Sequence, residues 1–158
     1  MVIVSLGWII AIAAGDIRRE LKIRIVLKKI KAEDIMTREY PVINQQMNVG
    51  QLVHDHVLKK GTSYIIVADG NKLKGILTLN QIESIPSKHW NNTPIGNIMT
   101  PTEKIRTAQL QQTANTLFEE MQLRNIDYIP VLEEENIVGV VNRDALLNLV
   151  ETRIRFGA

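Results

Sequence analysis

The chain has 158 residues, of which 45% are hydrophobic, 4% aromatic and none cysteine, and its formal net charge is +2. That length holds one compact domain or two small halves behaving as one. Scarce aromatics count against a base-stacking nucleic-acid surface, and the lack of cysteine excludes disulfides and thiolate metal sites and fits a reducing compartment.

Residues 2–14 are almost wholly apolar, including Leu6, Trp8, Ile9, Ile10 and Ile12, and residues 16–31 then hold seven Lys or Arg against two acids. An apolar run followed by a basic one reads as the end of a membrane helix with a cytoplasmic flank. The run falls short of the roughly 20 residues that a span needs, and a secretory signal would carry its basic residues first. Three readings stand: the stump of a transmembrane helix, an interfacial helix, or a helix buried against the rest of the protein or a partner chain. Residues 2–30 read as one long helix, or two joined near Gly15.

Further on, residues 32–36 form a short turn and Pro41-Val42-Ile43 an extended segment. Asn48 is placed to cap a helix reaching about Lys60, with Val49, Leu52, Val53, His56 and Val57 inward and Gly61 closing it. Tyr64–Val67 and Leu73–Leu77 flank Asp69-Gly70-Asn71, the pattern of paired strands, and a short helix begins at Thr78. Residues 85–92 read as a linker. Thr93-Pro94 supplies an N-cap and a proline at the first helical position. Then come an extended stretch at Lys104–Arg106, a helix over Gln111–Arg124, strands at Tyr128–Leu132 and Ile137–Val141, and a helix from Asn142 to about Arg153.

The second half repeats the first. Asp34-Ile35-Met36-Thr37 returns as Asn97-Ile98-Met99-Thr100. Tyr64-Ile65-Ile66-Val67 with Gly75-Ile76-Leu77-Thr78 returns as Tyr128-Ile129-Pro130-Val131 with Gly139-Val140-Val141-Asn142. A near-constant offset is the mark of a tandem supersecondary unit, and two such units share a central cleft.

On these residues the chain resembles a tandem pair of CBS domains, a regulatory module that often binds adenosine-containing ligands; the resemblance spans about Lys31 to Arg153. It is also similar to the C-terminal cytoplasmic CBS region of site-2-protease-like intramembrane zinc metalloproteases. There a last membrane helix leads through a basic helix into the first CBS copy, much as Gly7-Trp8 leads to Lys31. The resemblance implies an α/β tandem CBS pair with a long N-terminal helix: residues 1–31 the helix, 32–90 the first CBS domain with its linker, and 91–158 the second. Such a protease needs a His-Glu-x-x-His helix and a distal Asp to hold zinc and activate water. Neither is present, so the expected role is regulatory rather than enzymatic, on the cytoplasmic side of a membrane.

In CBS pairs the Thr of Gly-x-x-Thr and the following helix amides face the cleft, where phosphate is attracted, and an Asp three residues on binds ribose. By this resemblance Thr37, Ile65, Thr78, Gln81, Thr100, Ile129, Asn142 and Asp144 would line sites for ATP, ADP, AMP or S-adenosylmethionine. The sequence departs from the pattern, with Gln81 and Ala145 where Asp is expected and Asp144 one place early, turned by about 100°. A ligand-free reading stands beside it: Thr78-x-x-Gln81 is a capping box, Asn142 is a good N-cap, and Ile65 and Ile129 suit a core. His54 and His56, two apart on a helix, diverge too far for a metal pair, so no metal is expected. The expected partners are a second copy in a homodimer, an adenosyl nucleotide and an attached membrane protease domain, with nucleic acid disfavoured. A ligand-free dimerisation scaffold is the alternative.

Overall fold

The structure is a computed structural model that describes residues 18–57 and 63–156. The apolar run at 2–14, Gly15 and Gly61 lie outside them. Among the described residues no helix is long and apolar enough to cross a membrane.

Helix α1 includes residues 18–28, and α2 is Ala32–Ile35. Strand β1, Val42–Ile43, precedes α3, Val49–Leu52, which continues as a wider π turn through Val57. The expected uniform helix is thus α only at its start, since periodicity does not distinguish the two helical forms. Asn48 makes the expected cap: its Oδ1 accepts from Gln51 N at 2.8 Å and Gln51 Oε1 accepts in return. Hairpin β2 (Tyr64–Asp69) and β3 (Lys72–Thr78) runs into α4, Leu79–Glu83. The linker is not a plain loop, because Ser87–Asn92 forms a 3-10 helix.

Pro94, rather than Thr93, is the cap residue of a 3-10 turn at Ile95–Asn97, and the Thr93 hydroxyl instead donates back to His89 O. Next come β4, Thr100–Pro101, and a 3-10 turn over Thr102–Lys104. The extended stretch expected at Lys104–Arg106 lies further on, as β5 at Ala108–Gln109. Helix α5 is Ala114–Arg124, capped by Thr113; hairpin β6 (Tyr128–Glu133) and β7 (Asn136–Asn142) leads into α6, Arg143–Phe156.

The strands form one seven-stranded sheet in the order β1-β2-β3-β7-β6-β5, with β4 paired to β3. Each half has the same plan: a short strand parallel to the first arm of an antiparallel hairpin. Register shifts fall at matching places, Val67/Ala68 and Val131/Leu132. Strand alternation divides the apolar residues between two surfaces. Ile65, Val67 and Leu77 enter a core under α3 and α4; Ile129, Val131 and Val141 enter one under α1, α5 and α6. Tyr64, Ile66, Ile76, Leu132 and Val140 meet in a third core between the halves. Burial on both faces explains the unbroken apolar runs in these strands.

The opening segment of each copy packs on the other half. Thr37 exchanges backbone hydrogen bonds with Val140 at 2.9 and 3.0 Å, and β4 from the second copy pairs with β3 of the first. Met36 lies against Gly139, and Met99 against Gly75. Ala32 N and Ala114 N donate to Gln112 O and Ile30 O; Val49 N and Ile95 N donate to Thr93 O and Met47 O. The two copies are therefore interlocked rather than strung in series.

Candidate ligand cleft between the halves

A cavity of about 440 Å³ opens where β3 of the first copy, with β4 of the second paired to it, faces the end of α5 and the start of β6. Thr78 and Thr100 supply hydroxyls, Ile76, Ile105, Tyr128 and Pro130 supply apolar walls, and Lys104, Arg106 and Arg124 supply cations. Asn125 turns the chain at the end of α5 with φ 51°, a conformation that Asn tolerates. This lets residues 125–127 line the same cavity.

The cations are held in place by a shared acid. Arg106 Nε and Arg124 Nε both donate to Glu120 Oε2, at 3.0 and 3.2 Å. Two guanidiniums on one carboxylate, with Lys104 beside them, leave a surplus positive charge at the cavity even with Asp127, which also lines it and pairs with Arg143 at 3.7 Å. Tyr128 stacks on its symmetry counterpart Tyr64, ring centroids 4.0 Å apart and planes tilted by 31°, which anchors the cavity wall to the core between the halves.

Of the eight residues singled out from sequence, Thr78 and Thr100 line this cavity. Gln81 ties those two together: its Oε1 accepts from Thr78 N at 2.8 Å, and its Nε2 donates to Thr100 Oγ1 at 2.9 Å. Gln81 is thus occupied as a cap and a bridge. Thr100, accepting here, keeps its own proton to donate. Ile65 and Ile129 do not present their side chains to a cleft. They are 2% and 0% exposed in the two helix-backed cores, and the residues facing the junction are one step away, because the side-chain period of a strand is two.

Thr37, Asn142 and Asp144 belong to the equivalent position in the other half. Thr37 Oγ1 closes a turn with Glu39, and Asn142 Oδ1 caps α6 by accepting from Asp144 N at 2.8 Å. The Asp144 side chain is exposed on the first turn of α6. The counterparts of the cavity residues 124–126 are residues 60–62, outside the described residues.

The helix starts are also less open to an anion than the motif implies. Leu79 N donates to Ser63 O and Arg143 N to Asp127 O, so the first helical amide on each side already has a partner. Anion attraction at the cavity falls to Lys104, Arg106 and Arg124 instead. Sequence reading missed these three because they lie in a turn and at a helix end with no motif around them. The one available signal was the helix stop at Asn125, the counterpart of Gly61.

Two interlocked α/β repeats around a ligand-sized cleft have the architecture of a regulatory module. The chain belongs to the CBS-domain family, whose model matches residues 32–85 and 95–152. Over 148 residues it is 24% identical to a Mycobacterium tuberculosis protein, Rip3, named as a zinc metalloprotease; the match covers 92% of this chain but 38% of that protein. Among solved structures, the CBS domain of a bacterial CNNM/CorC-family Mg2+ transporter matches with TM-score 0.71 at 16% identity, covering 92% of this chain and 93% of that one. The CBS domain of a membrane protein from Sphaerobacter thermophilus matches with TM-score 0.66 at 20% identity, over 87% and 97% of the two chains. The cytosolic domain of the Mg2+ channel MgtE, solved with ATP, matches with TM-score 0.64 at 24% identity, over 84% and 53%.

Proposed function

We propose that this CBS pair senses an adenine nucleotide in the cleft at Thr78 and Thr100 and passes its occupancy to an attached membrane metalloprotease domain. The observation that carries the reading is the cavity itself. Its volume lies within the ~300–1,000 Å³ range of small-molecule sites, and it joins an apolar wall to two hydroxyls and three cations. A flat base suits the wall, and a phosphate suits the rim through charge-assisted hydrogen bonds. S-adenosylmethionine carries a sulfonium cation and suits this rim less well than AMP, ADP or ATP.

A ligand here would touch both halves and favour one relative arrangement of them. The arrangement has a route to α1, since Ile30, just past that helix, and Ala32, the first residue of α2, are bonded to Ala114 at the start of α5 and to Gln112 just before it. The likeness to Rip3 supports a protease as the attached domain. Titration calorimetry of the purified chain with ATP, ADP, AMP and S-adenosylmethionine tests the reading. Saturable binding of a nucleotide, weakened roughly tenfold or more by Lys104→Ala with Arg124→Ala, is expected. Absence of binding by all four would overturn it.

The capping roles of Gln81 and Asn142 favour a second reading, a homodimerising scaffold without ligand. Self-association in light scattering that no nucleotide alters, together with silent calorimetry, would support that one.

A further inference from the structure

We propose that the end of the molecule where α1 meets α6 is a docking surface for an anionic lipid bilayer. Arg19 Nη2 lies 3.8 Å from Glu151 Oε1, so the described start of α1 lies beside the end of α6, although the two are far apart in sequence. Four of the six exposed large apolar side chains among the described residues sit on these two helices: Leu21 (54%), Ile25 (59%), Ile154 (37%) and Phe156 (74%). Leu21 and Ile25 are four apart and so share one stripe of α1. Phe156 is five residues beyond Glu151, about 7.5 Å along the helix.

Arg18, Lys22, Arg153 and Arg155 lie within a turn of these side chains on the same two helices and enter no ion pair among the described residues. Exposed apolar groups set among unpaired cations match a headgroup region: the cations meet lipid phosphates and the apolar side chains enter the acyl boundary. Residues 2–14, apolar in sequence, are separated by three residues from the described start of this helix in the chain, which argues for a bilayer over other occupants. A second copy would bring the same positive surface against itself. A nucleic acid would gain nothing from Leu21, Ile25 or Ile154, which offer no stacking face.

The inference is independent of the nucleotide reading, and the two fail separately. Flotation of the full chain with phosphatidylcholine vesicles, with and without phosphatidylglycerol, is run without nucleotide at two salt concentrations. Binding should require phosphatidylglycerol and weaken with salt. Arg153→Gln with Arg155→Gln should weaken it roughly tenfold or more, and Phe156→Ser should weaken it at either salt, each with unchanged circular dichroism. Equal binding to neutral vesicles, tighter binding to duplex DNA under the same conditions, or binding indifferent to both α6 variants would overturn the proposal. Loss of nucleotide binding with vesicle binding intact would leave this proposal standing and remove only the sensor.

Discussion

The Gln81 side-chain amide donates to the Thr100 hydroxyl at 2.9 Å, and so fastens the helix start of one sequence copy to the opening segment of the next. The same side chain caps α4 through Thr78 N. Gln81→Ala removes these two bonds and a third that Oε1 accepts from the Thr78 hydroxyl at 3.2 Å, all at a part-buried position, a loss of about 2 kcal/mol from a cap and a net hydrogen bond. Gln81→Glu keeps the acceptor for Thr78 N but not the donor to Thr100, so its cost should fall between wild type and alanine. Urea unfolding of the three proteins without ligand checks the order; equal midpoints would remove the bridge from the account.

The interlock of the copies makes two glycines unequal. A Cβ on Gly75 would sit 2.5 Å from the Thr100 backbone oxygen and 2.9 Å from Met99 Sδ, whereas the three atoms nearest to one on Gly139 all belong to the Met36 side chain. Backbone cannot step aside as a thioether can. Gly75→Ala should therefore destabilise more than Gly139→Ala, with overpacking costs of about 1–3 kcal/mol. Met36→Ala combined with Gly139→Ala should recover part of the second loss, and a double-mutant cycle by urea unfolding measures that coupling.

The repeat and its hairpins were legible in the sequence because two-sided burial writes itself as apolar runs bounded by turn residues. Tyr64–Val67 and Tyr128–Leu132 fall within observed strands, and Asn48 with Gln51 forms the expected cap. Less legible was anything decided by partners distant in the chain. β5 lies at Ala108–Gln109 because its register follows Val131 and Leu132, not local propensity. The exchange of opening segments leaves no local mark, although Met36 and Met99 are the residues that pack across it. At the cleft, the motif positions Thr78 and Thr100 were legible. The cations were not, because Arg106 and Arg124 meet only through Glu120 in the folded chain.

Tyr64, on the axis relating the halves, should make stability sensitive to high pH. Burial, then the nearby phenols of Tyr128 and Tyr40, raise its pKa above the ordinary 10.0. Below pH 10 both folded and unfolded chains hold the proton. Above it the unfolded chain ionises while the native one stays neutral, so stability falls until the folded value is passed. Tyr40, also raised by burial, adds to the same window. Tyr64→Phe should flatten part of the decline in thermal midpoint as the pH rises above 10, and an unchanged slope would assign the sensitivity elsewhere.

The two hairpins offer a matched pair at their tips. Gly70 holds φ 59° in the first, and Glu134 holds φ 58° in the second. A left-handed conformation brings Cβ close to the following carbonyl and costs an L-residue about 1–2 kcal/mol, a penalty glycine escapes. Glu134 is exposed, and the ion pair at this tip is made by its neighbour Glu135, with Lys72 at 3.1 Å, so replacing Glu134 removes little else. Glu134→Gly should raise stability by about 1 kcal/mol, less the extra entropy that glycine gives the unfolded chain. Gly70→Ala should lower it by a similar amount for the reverse reason, even though no atom lies within 4 Å of the added Cβ. Opposite shifts in urea midpoint at unchanged m-value would confirm that backbone conformation, rather than contact, governs both tips.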